Sequence, residues 1–138
     1  MTKQQLGNNP VSKVLIVDDE PHIRLLLEQT LEELENEGVE LLTAGNGKEA
    51  LEIVTREKPS LVFLDVMMPR MNGFDVCRTI KNDLGLIGVS VVLLTAKGQE
   101  FDRQKGTEAG ADLYITKPFS PDEVLAKARE ILNMPASE

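Results

Sequence analysis

The stretch Leu61-Val62-Phe63-Leu64-Asp65 decides the fold of this chain, because four apolar residues run directly into a carboxylate. Pro69 and Asn72-Gly73 follow it, and these residue types are typical of turns. An uninterrupted apolar run of this length predicts a short strand that is buried on both faces, as in a parallel sheet. Since an unpaired buried carboxylate is costly, we expect Asp65 at the exit of that strand, where ligands bind in open parallel sheets.

Size and composition predict a single globular domain. The chain has 138 residues, of which 41% are hydrophobic and 28% are charged. A net charge of −8 argues against a nucleic-acid-binding surface, because phosphate contacts need a basic patch. No apolar stretch is long enough to span a bilayer, and the polar N-terminus shows no secretory signal. With a single cysteine, these features predict a cytoplasmic protein that binds neither nucleic acid nor membrane.

Strand and helix patterns alternate five times along the sequence. The predicted strands are residues 13–17, 40–44, 61–65, 89–94 and 113–115. The predicted helices run from residue 21 to 38, from 46 to 59, through 76–80, over 99–109 and onward from 120. Each repeat has the length of one βα unit, so the pattern predicts a parallel sheet with helices on both faces.

The first predicted helix shows the clearest amphipathic pattern. Pro21 suits its first turn, and Gly38 is placed to end it. Its apolar residues recur at helical spacing, which predicts one continuous helix packed on the sheet. We expect the opposite face to be solvated; it carries Glu28, Glu32, Glu33 and Glu35.

The residues that leave the strands form a coherent chemical set. Asp18 and Asp19 follow the first strand, Asp65 the third, Thr95 the fourth and Lys117 the fifth. Because the carboxyl ends of parallel strands lie on one edge, these side chains are predicted to share a rim. If the first and third strands are neighbours, three carboxylates meet there, which suits Mg²⁺. With a hydroxyl and an ammonium nearby for a small anion, the set predicts phosphoryl transfer to or from a carboxylate.

Four motifs in this order resemble the response-regulator receiver domain, the CheY-like receiver of two-component signal transduction. They are Val17-Asp18-Asp19-Glu20-Pro21, Leu64-Asp65-Val66-Met67-Met68-Pro69 with Asn72-Gly73, Leu94-Thr95-Ala96 and Lys117-Pro118-Phe119. The resemblance implies a doubly wound (βα)5 α/β fold whose five-stranded parallel sheet has the flavodoxin-like order 2-1-3-4-5. We expect a loose leader over residues 1–11, the receiver domain over 12–133, and a tail or the start of a linker over 134–138.

The resemblance also implies roles for the residues at the rim. Asp65 matches the phosphoacceptor, which takes a phosphoryl group and becomes an acyl phosphate. Asp18 and Asp19 match the acidic pair that binds Mg²⁺, together with Asp65 itself and the backbone carbonyl of Met67. Lys117 matches the lysine that pairs with a phosphoryl oxygen, and its bond to the following proline is expected to be cis.

Two further implied roles concern signalling and lifetime. Thr95 matches the hydroxyl that follows the phosphoryl group, and Tyr114 the aromatic switch that turns inward once Thr95 has moved. That movement would remodel the α4-β5-α5 face, made by the fourth predicted helix, the fifth strand and the fifth helix. Met67 and Lys97 are at positions that tune the lifetime of the acyl phosphate. Since an apolar Met67 offers no hydrogen bond to an attacking water, we predict slow self-hydrolysis.

The implied partners are a phosphodonor and an effector. The donor is a sensor histidine kinase or a histidine phosphotransfer protein, and the effector domain or protein binds at the α4-β5-α5 face. The resemblance also allows a phosphorylation-dependent homodimer. No enzymatic activity is expected apart from self-phosphorylation from the donor and autodephosphorylation.

Two other functions stay open on the residues alone. An aspartyl-phosphate hydrolase of the haloacid-dehalogenase type also places a carboxylate after a parallel strand. It needs an Asp-x-Asp motif after the first strand, whereas this chain has Asp18-Asp19-Glu20-Pro21 there. The second alternative is a receiver that binds a protein partner independently of phosphorylation.

Overall fold

The computed structural model describes residues 12–96 and 101–135, with side chains from residue 104 onward in the second segment. The strands are β1 (Lys13–Val17), β2 (Glu40–Ala44), β3 (Leu61–Asp65), β4 (Ser90–Ala96) and β5 (Leu113–Lys117). The helices are α1 (Pro21–Thr30), α2 (Glu32–Asn36), α3 (Gly47–Glu57), α4 (Gly73–Arg78), α5 (Phe101–Ala109) and α6 (Pro121–Ile131). A π-helical turn over Thr79–Asp83 continues α4.

The five strands form one parallel sheet in the order β2-β1-β3-β4-β5. This confirms the predicted fold class, and it places β1 and β3 side by side. All five residues of β3 are buried, because helices cover both of its faces. The carboxyl ends of the strands therefore lie along one edge, and the β3 carboxylate of Asp65 lies between the ends of β1 and β4.

Two hydrophobic clusters cover the two faces of the sheet. Alternate residues of β3 enter different clusters, since Val62 and Leu64 face one side and Leu61 and Phe63 face the other. The first cluster includes buried residues of α3 and α4, and the second includes residues of α1, α2 and α6. A strand between two such layers needs apolar residues at every position, which explains the uninterrupted run in the sequence.

The first predicted helix is in fact two helices. α1 ends at Thr30 and α2 begins at Glu32, with Leu31 outside helical geometry between them. The Thr30 hydroxyl donates to the carbonyl of Leu26 at 2.8 Å, a bond that often bends a helix. Gly38 has a φ of +101°, so the predicted end at this glycine is correct although the helix before it is interrupted.

The prediction that the acidic face of the first predicted helix is solvated is wrong at Glu33. Arg129 of α6 is only 5% exposed, and its guanidinium pairs with the carboxylates of Glu33 and Glu37. It also donates to the carbonyl of Pro135 at 3.0 Å. Burial of an arginine requires such acceptors, so these glutamates fix α6 against α2.

Ordered contacts continue to the end of the described residues. Met134 packs against the cluster on the α1 and α6 side of the sheet, and Pro135 is held by Arg129. The leader expected over residues 1–11 lies outside the described residues, and the domain limits of 12 and 133 stay predictions. Within the described ranges, no helix is long and apolar enough to cross a membrane.

Candidate functional site

Three carboxylates meet at the carboxyl edge of the sheet. Asp18 and Asp19 follow β1, Asp65 ends β3, and one carboxylate oxygen from each lies within 4.8 Å of the others. Asp18 is fully buried and Asp65 is 4% exposed, whereas Asp19 is exposed. The juxtaposition follows from the register, since Val17 pairs with Leu64 one residue earlier on each strand.

The Asp18 carboxylate is held in place by its own loop. Its Oδ1 accepts from the backbone N–H of Glu20 at 2.9 Å, and its carbonyl accepts from the Arg24 guanidinium at 2.7 Å. The Asp18 N–H donates to the carbonyl of Ala44 at the end of β2. Sequence reasoning missed Arg24, because nothing in the sequence marks which side chain of α1 turns back to the β1 loop.

Lys117 joins two of the three carboxylates. Its Nζ lies 2.9 Å from Asp65 Oδ1 and 3.2 Å from Asp18 Oδ2, so one ammonium serves both buried acids. β5 delivers it to the rim, where Lys117 is paired with Ala96 of β4. The peptide bond to Pro118 is cis, as expected.

The electrostatics of the cluster show how costly this arrangement is. Burial raises the pKa of the Asp65 carboxyl to about 6, Lys117 acts against that rise, and the charges of Asp18 and Asp19 add to it. Burial lowers the pKa of Lys117, but its bonds to Asp65 and Asp18 outweigh this, so the net pKa is raised and the ammonium is retained. One cation among three carboxylates leaves an excess of negative charge.

The donor set fits a divalent cation that prefers oxygen ligands. Asp18, Asp19 and Asp65 supply converging carboxylate oxygens, and the excess negative charge favours a cation beside Lys117. Met67 lies in the loop after β3, with its side chain 70% exposed. The use of its backbone carbonyl as a ligand stays a prediction.

The loop after Asp65 is packed closely on the start of α4. Gly73 donates its N–H to the carbonyl of Val66 at 3.0 Å, and a Cβ at Gly73 would lie 2.5 Å from the carbonyl oxygen of Asp65. The Asn72 side chain caps α4 by accepting from the N–H of Asp75 at 3.0 Å. The Asn-Gly pair, which the sequence predicts to form a turn, therefore sets the position of the loop that follows Asp65.

Thr95 and Tyr114 are brought to one face of the sheet. Thr95 is 4% exposed and follows Leu94, the residue that pairs with Asp65. Tyr114 pairs with Leu93, two residues before Thr95, so the side chains of Thr95 and Tyr114 point to the same face. Tyr114 is half-buried, and its hydroxyl lies 2.6 Å from that of Thr107. Lys97, the second residue predicted to tune the phosphoryl lifetime, lies outside the described residues.

The chain is similar to a known family of proteins. The chain matches the response regulator receiver domain over residues 14–129. It is 47% identical over 124 residues to the probable transcriptional regulator ycf27 of Porphyra purpurea. The aligned residues are 90% of this chain and 49% of the relative. The chain spans about half the length of the curated relatives it matches.

Solved receiver structures share the fold. The chemotaxis response regulator CheY4 of Vibrio cholerae superposes with a TM-score of 0.78 at 30% identity, covering 88% of this chain and 99% of that one. The BeF3-activated DrrB receiver domain gives a TM-score of 0.78 at 34% identity, covering 90% and 99%.

These matches decide between the functions left open by the residues. They do not favour a haloacid-dehalogenase hydrolase or a phosphorylation-independent binding module. Receiver domains are generally non-enzymatic signalling domains that bind Mg²⁺ at an acidic pocket, and the aspartate cluster provides such a pocket here. The sequence match, the sheet order and the rim residues agree, and the chain belongs to the response-regulator receiver domain family.

Proposed function

We propose that Asp65 receives a phosphoryl group from the phosphohistidine of a sensor histidine kinase or a histidine phosphotransfer protein. The observation that carries this proposal is the Lys117 ammonium, bonded at once to Asp65 and Asp18 within the aspartate cluster. A carboxylate at the edge of a parallel sheet, with a fixed cation beside it, is arranged to attack phosphorus and to stabilise the charge that develops.

The transfer exchanges one bond to phosphorus for another. An Asp65 carboxylate oxygen forms a bond to phosphorus, the P–N bond to the donor imidazole breaks, and the imidazole leaves with that electron pair. Lys117 is already at Asp65 Oδ1, so it pairs with a phosphoryl oxygen on the product. Attack of water on phosphorus then releases inorganic phosphate and restores the Asp65 carboxylate.

The aspartate cluster also indicates where a metal ion would bind and what it would contribute. Asp18, Asp19, Asp65 and the carbonyl of Met67 would hold Mg²⁺, which when bound supplies positive charge to the carboxylates and to the phosphoryl oxygens. Asp18 keeps its orientation through the bonds to Glu20 and Arg24, which do not depend on the metal.

Thr95 and Tyr114 would convert this chemistry into a signal. Thr95 donates its hydroxyl to a phosphoryl oxygen, and Tyr114 then changes orientation on the same face of the sheet. The surface that changes is the face made by the fourth predicted helix, the fifth strand and the fifth predicted helix, which are α5, β5 and α6 of the structure. It is where we place the effector and any phosphorylation-dependent homodimer. The net charge of −8 supports an output through protein contacts and not through direct nucleic-acid binding. As for other receivers, the cytoplasm is the proposed compartment.

Met67 and Lys97 are the residues we assign to the lifetime of the acyl phosphate. An exposed thioether at Met67 gives an attacking water no strong hydrogen bond, which supports slow self-hydrolysis. The expected half-life at neutral pH is well beyond seconds, measured as loss of phosphorylated protein after removal of the donor. A half-life of seconds would contradict the assignment.

Calorimetric titration with beryllofluoride tests the site directly, since the DrrB receiver domain is activated by BeF3. We expect saturable binding to the wild type only when Mg²⁺ is present, and no binding to Asp65→Asn. Asp83→Asn removes an exposed carboxylate away from the rim and serves as the matched control. Equal binding to Asp65→Asn and the wild type would refute Asp65 as the acceptor.

A further inference from the structure

Tyr114 lies directly on the backbone of α5. Its hydroxyl is 2.6 Å from the Thr107 hydroxyl, which is a short hydrogen bond between two side chains of different elements. Its ring packs against the hydrophobic cluster on the α3 to α5 side of the sheet. The phenol is therefore fixed at both its ring and its polar end.

Gly106 is what allows the ring to come so close. A Cβ at Gly106 would lie 2.5 Å from Tyr114 Cε1 and 2.8 Å from Leu93 Cδ1, distances that a real Cβ does not tolerate. Gly106 is buried within α5, where glycine is less favourable for the helix than alanine. The close approach of the Tyr114 ring explains why a glycine occupies this helical position.

The hydroxyl bond points away from the rim. β4 runs toward the rim, and α5 leads back from the rim to the start of β5. Thr107, near the end of α5, therefore lies toward the amino ends of the strands. Thr95 lies at the rim, two residues beyond Leu93, the strand partner of Tyr114. A phenol that turns toward Thr95 therefore loses its bond to Thr107.

We propose that Gly106 and Thr107 form a dock that positions Tyr114 against α5 and opposes its turn toward Thr95. The proposal rests on the proposed function of Thr95 and Tyr114 as a phosphoryl-dependent switch, and it adds the residues that set the resting orientation. Because the docked and turned orientations exclude each other, weakening the dock favours the turned one. By linkage, a weaker dock also tightens the binding of any ligand that requires Tyr114 to turn toward Thr95.

The chain offers an internal probe for this test. It contains one tyrosine and no tryptophan, so intrinsic tyrosine emission reports on Tyr114 alone. Thr107→Val removes the hydroxyl and keeps the side-chain shape, whereas Thr107→Ser keeps a hydroxyl. Thr55→Val is the matched control, since Thr55 is also exposed on a helix and its hydroxyl donates to the carbonyl of Leu51 in the same helix.

Without beryllofluoride, Thr107→Val should change the Tyr114 emission, and Thr107→Ser and Thr55→Val should match the wild type. With Mg²⁺, the beryllofluoride midpoint of Thr107→Val should fall about threefold, the effect of one modest hydrogen bond. Gly106→Ala should change the Tyr114 emission and the beryllofluoride midpoint in the same directions as Thr107→Val does, because the added Cβ displaces the Tyr114 ring.

Two results would overturn the dock. One is an emission spectrum of Thr107→Val that equals that of the wild type. The other is a beryllofluoride midpoint that is unchanged or higher in Thr107→Val. Failure of the proposed function would give a different result, because the wild type would then bind no beryllofluoride in the calorimeter. The tyrosine emission of the variants without beryllofluoride would still test the dock in that case.

Discussion

Asp65 combines burial with charge at a single side chain. It is 4% exposed beside two other carboxylates, and its burial raises the pKa to about 6, so the folded protein disfavours the ionised form. Lys117 offsets only part of this cost. The ionised carboxylate therefore lowers the stability of the fold, and an uncharged residue of similar shape would stabilise it better.

Asp65→Asn should therefore stabilise the protein in the absence of divalent cations. The pKa of Asp65 is higher in the folded protein than in the unfolded chain, so the folded state loses stability as pH rises from about 4 to about 6. We expect a gain of at most about 3 kcal/mol above pH 7, which shrinks toward zero near pH 4. Urea unfolding in EDTA at pH 7.5 and pH 4.5 measures both values.

The control for this comparison is Asp83→Asn, which changes an exposed carboxylate and should shift the free energy of unfolding by less than about 0.5 kcal/mol. A gain in Asp65→Asn that is the same at both pH values would show that burial of the ionised carboxylate is not its cause.

At the scale of elements, the loop between β3 and α4 is packed closely on the backbone of Asp65. A Cβ at Gly73 would lie 2.5 Å from the Asp65 carbonyl oxygen and 2.9 Å from Val66 Cα, and both contacts are to backbone. Backbone atoms cannot move aside as a flexible side chain can. Gly73 therefore couples the start of α4 to the position of Asp65.

Gly73→Ala should lower the free energy of unfolding by about 1–3 kcal/mol and weaken beryllofluoride binding, because the added methyl group must displace the acceptor loop. Chemical denaturation and calorimetric titration give the two values. Gly88→Ala is the matched control, since a Cβ there meets nothing within 4 Å. Wild-type affinity in Gly73→Ala would show that this contact does not position Asp65.

The elements also show what sequence patterns can and cannot predict. Apolar runs identified β1, β3 and β4 because buried parallel strands require apolar residues on both faces. The break at Thr30 was missed, since a threonine in a helical pattern does not reveal that its hydroxyl will bond the carbonyl of Leu26. Arg129 was missed for a related reason, because its glutamate partners are more than 90 residues away in the sequence.

For the whole molecule, the strand order explains why the rim could be predicted. Once β1 and β3 are neighbours, Asp18, Asp19 and Asp65 must converge, and the cluster within 4.8 Å follows from the sheet. The supporting residues Arg24 and Thr107 could not be predicted in the same way. Their positions depend on how helices rotate against the sheet, and neither belongs to a motif at a strand exit.

Stability of the whole molecule should respond to Mg²⁺. A cation that binds the folded rim and not the unfolded chain stabilises by about 2.7 kcal/mol at a hundredfold excess over its Kd. Thermal unfolding with and without Mg²⁺ should show this in the wild type and in Asp83→Asn. Asp19→Asn, which removes the exposed carboxylate beside the buried pair of Asp18 and Asp65, should lose most of the effect. Full stabilisation of Asp19→Asn would exclude Asp19 from the metal site.

Incubation with acetyl phosphate and Mg²⁺, followed by borohydride reduction and peptide mass spectrometry, locates the acyl phosphate on the chain. We predict that the wild type is modified at Asp65 and at no other carboxylate, and that Asp65→Asn and the metal-free wild type remain unmodified. Modification at Asp18 or Asp19, or equal modification of Asp65→Asn, would contradict the assignment of Asp65 as the phosphoacceptor.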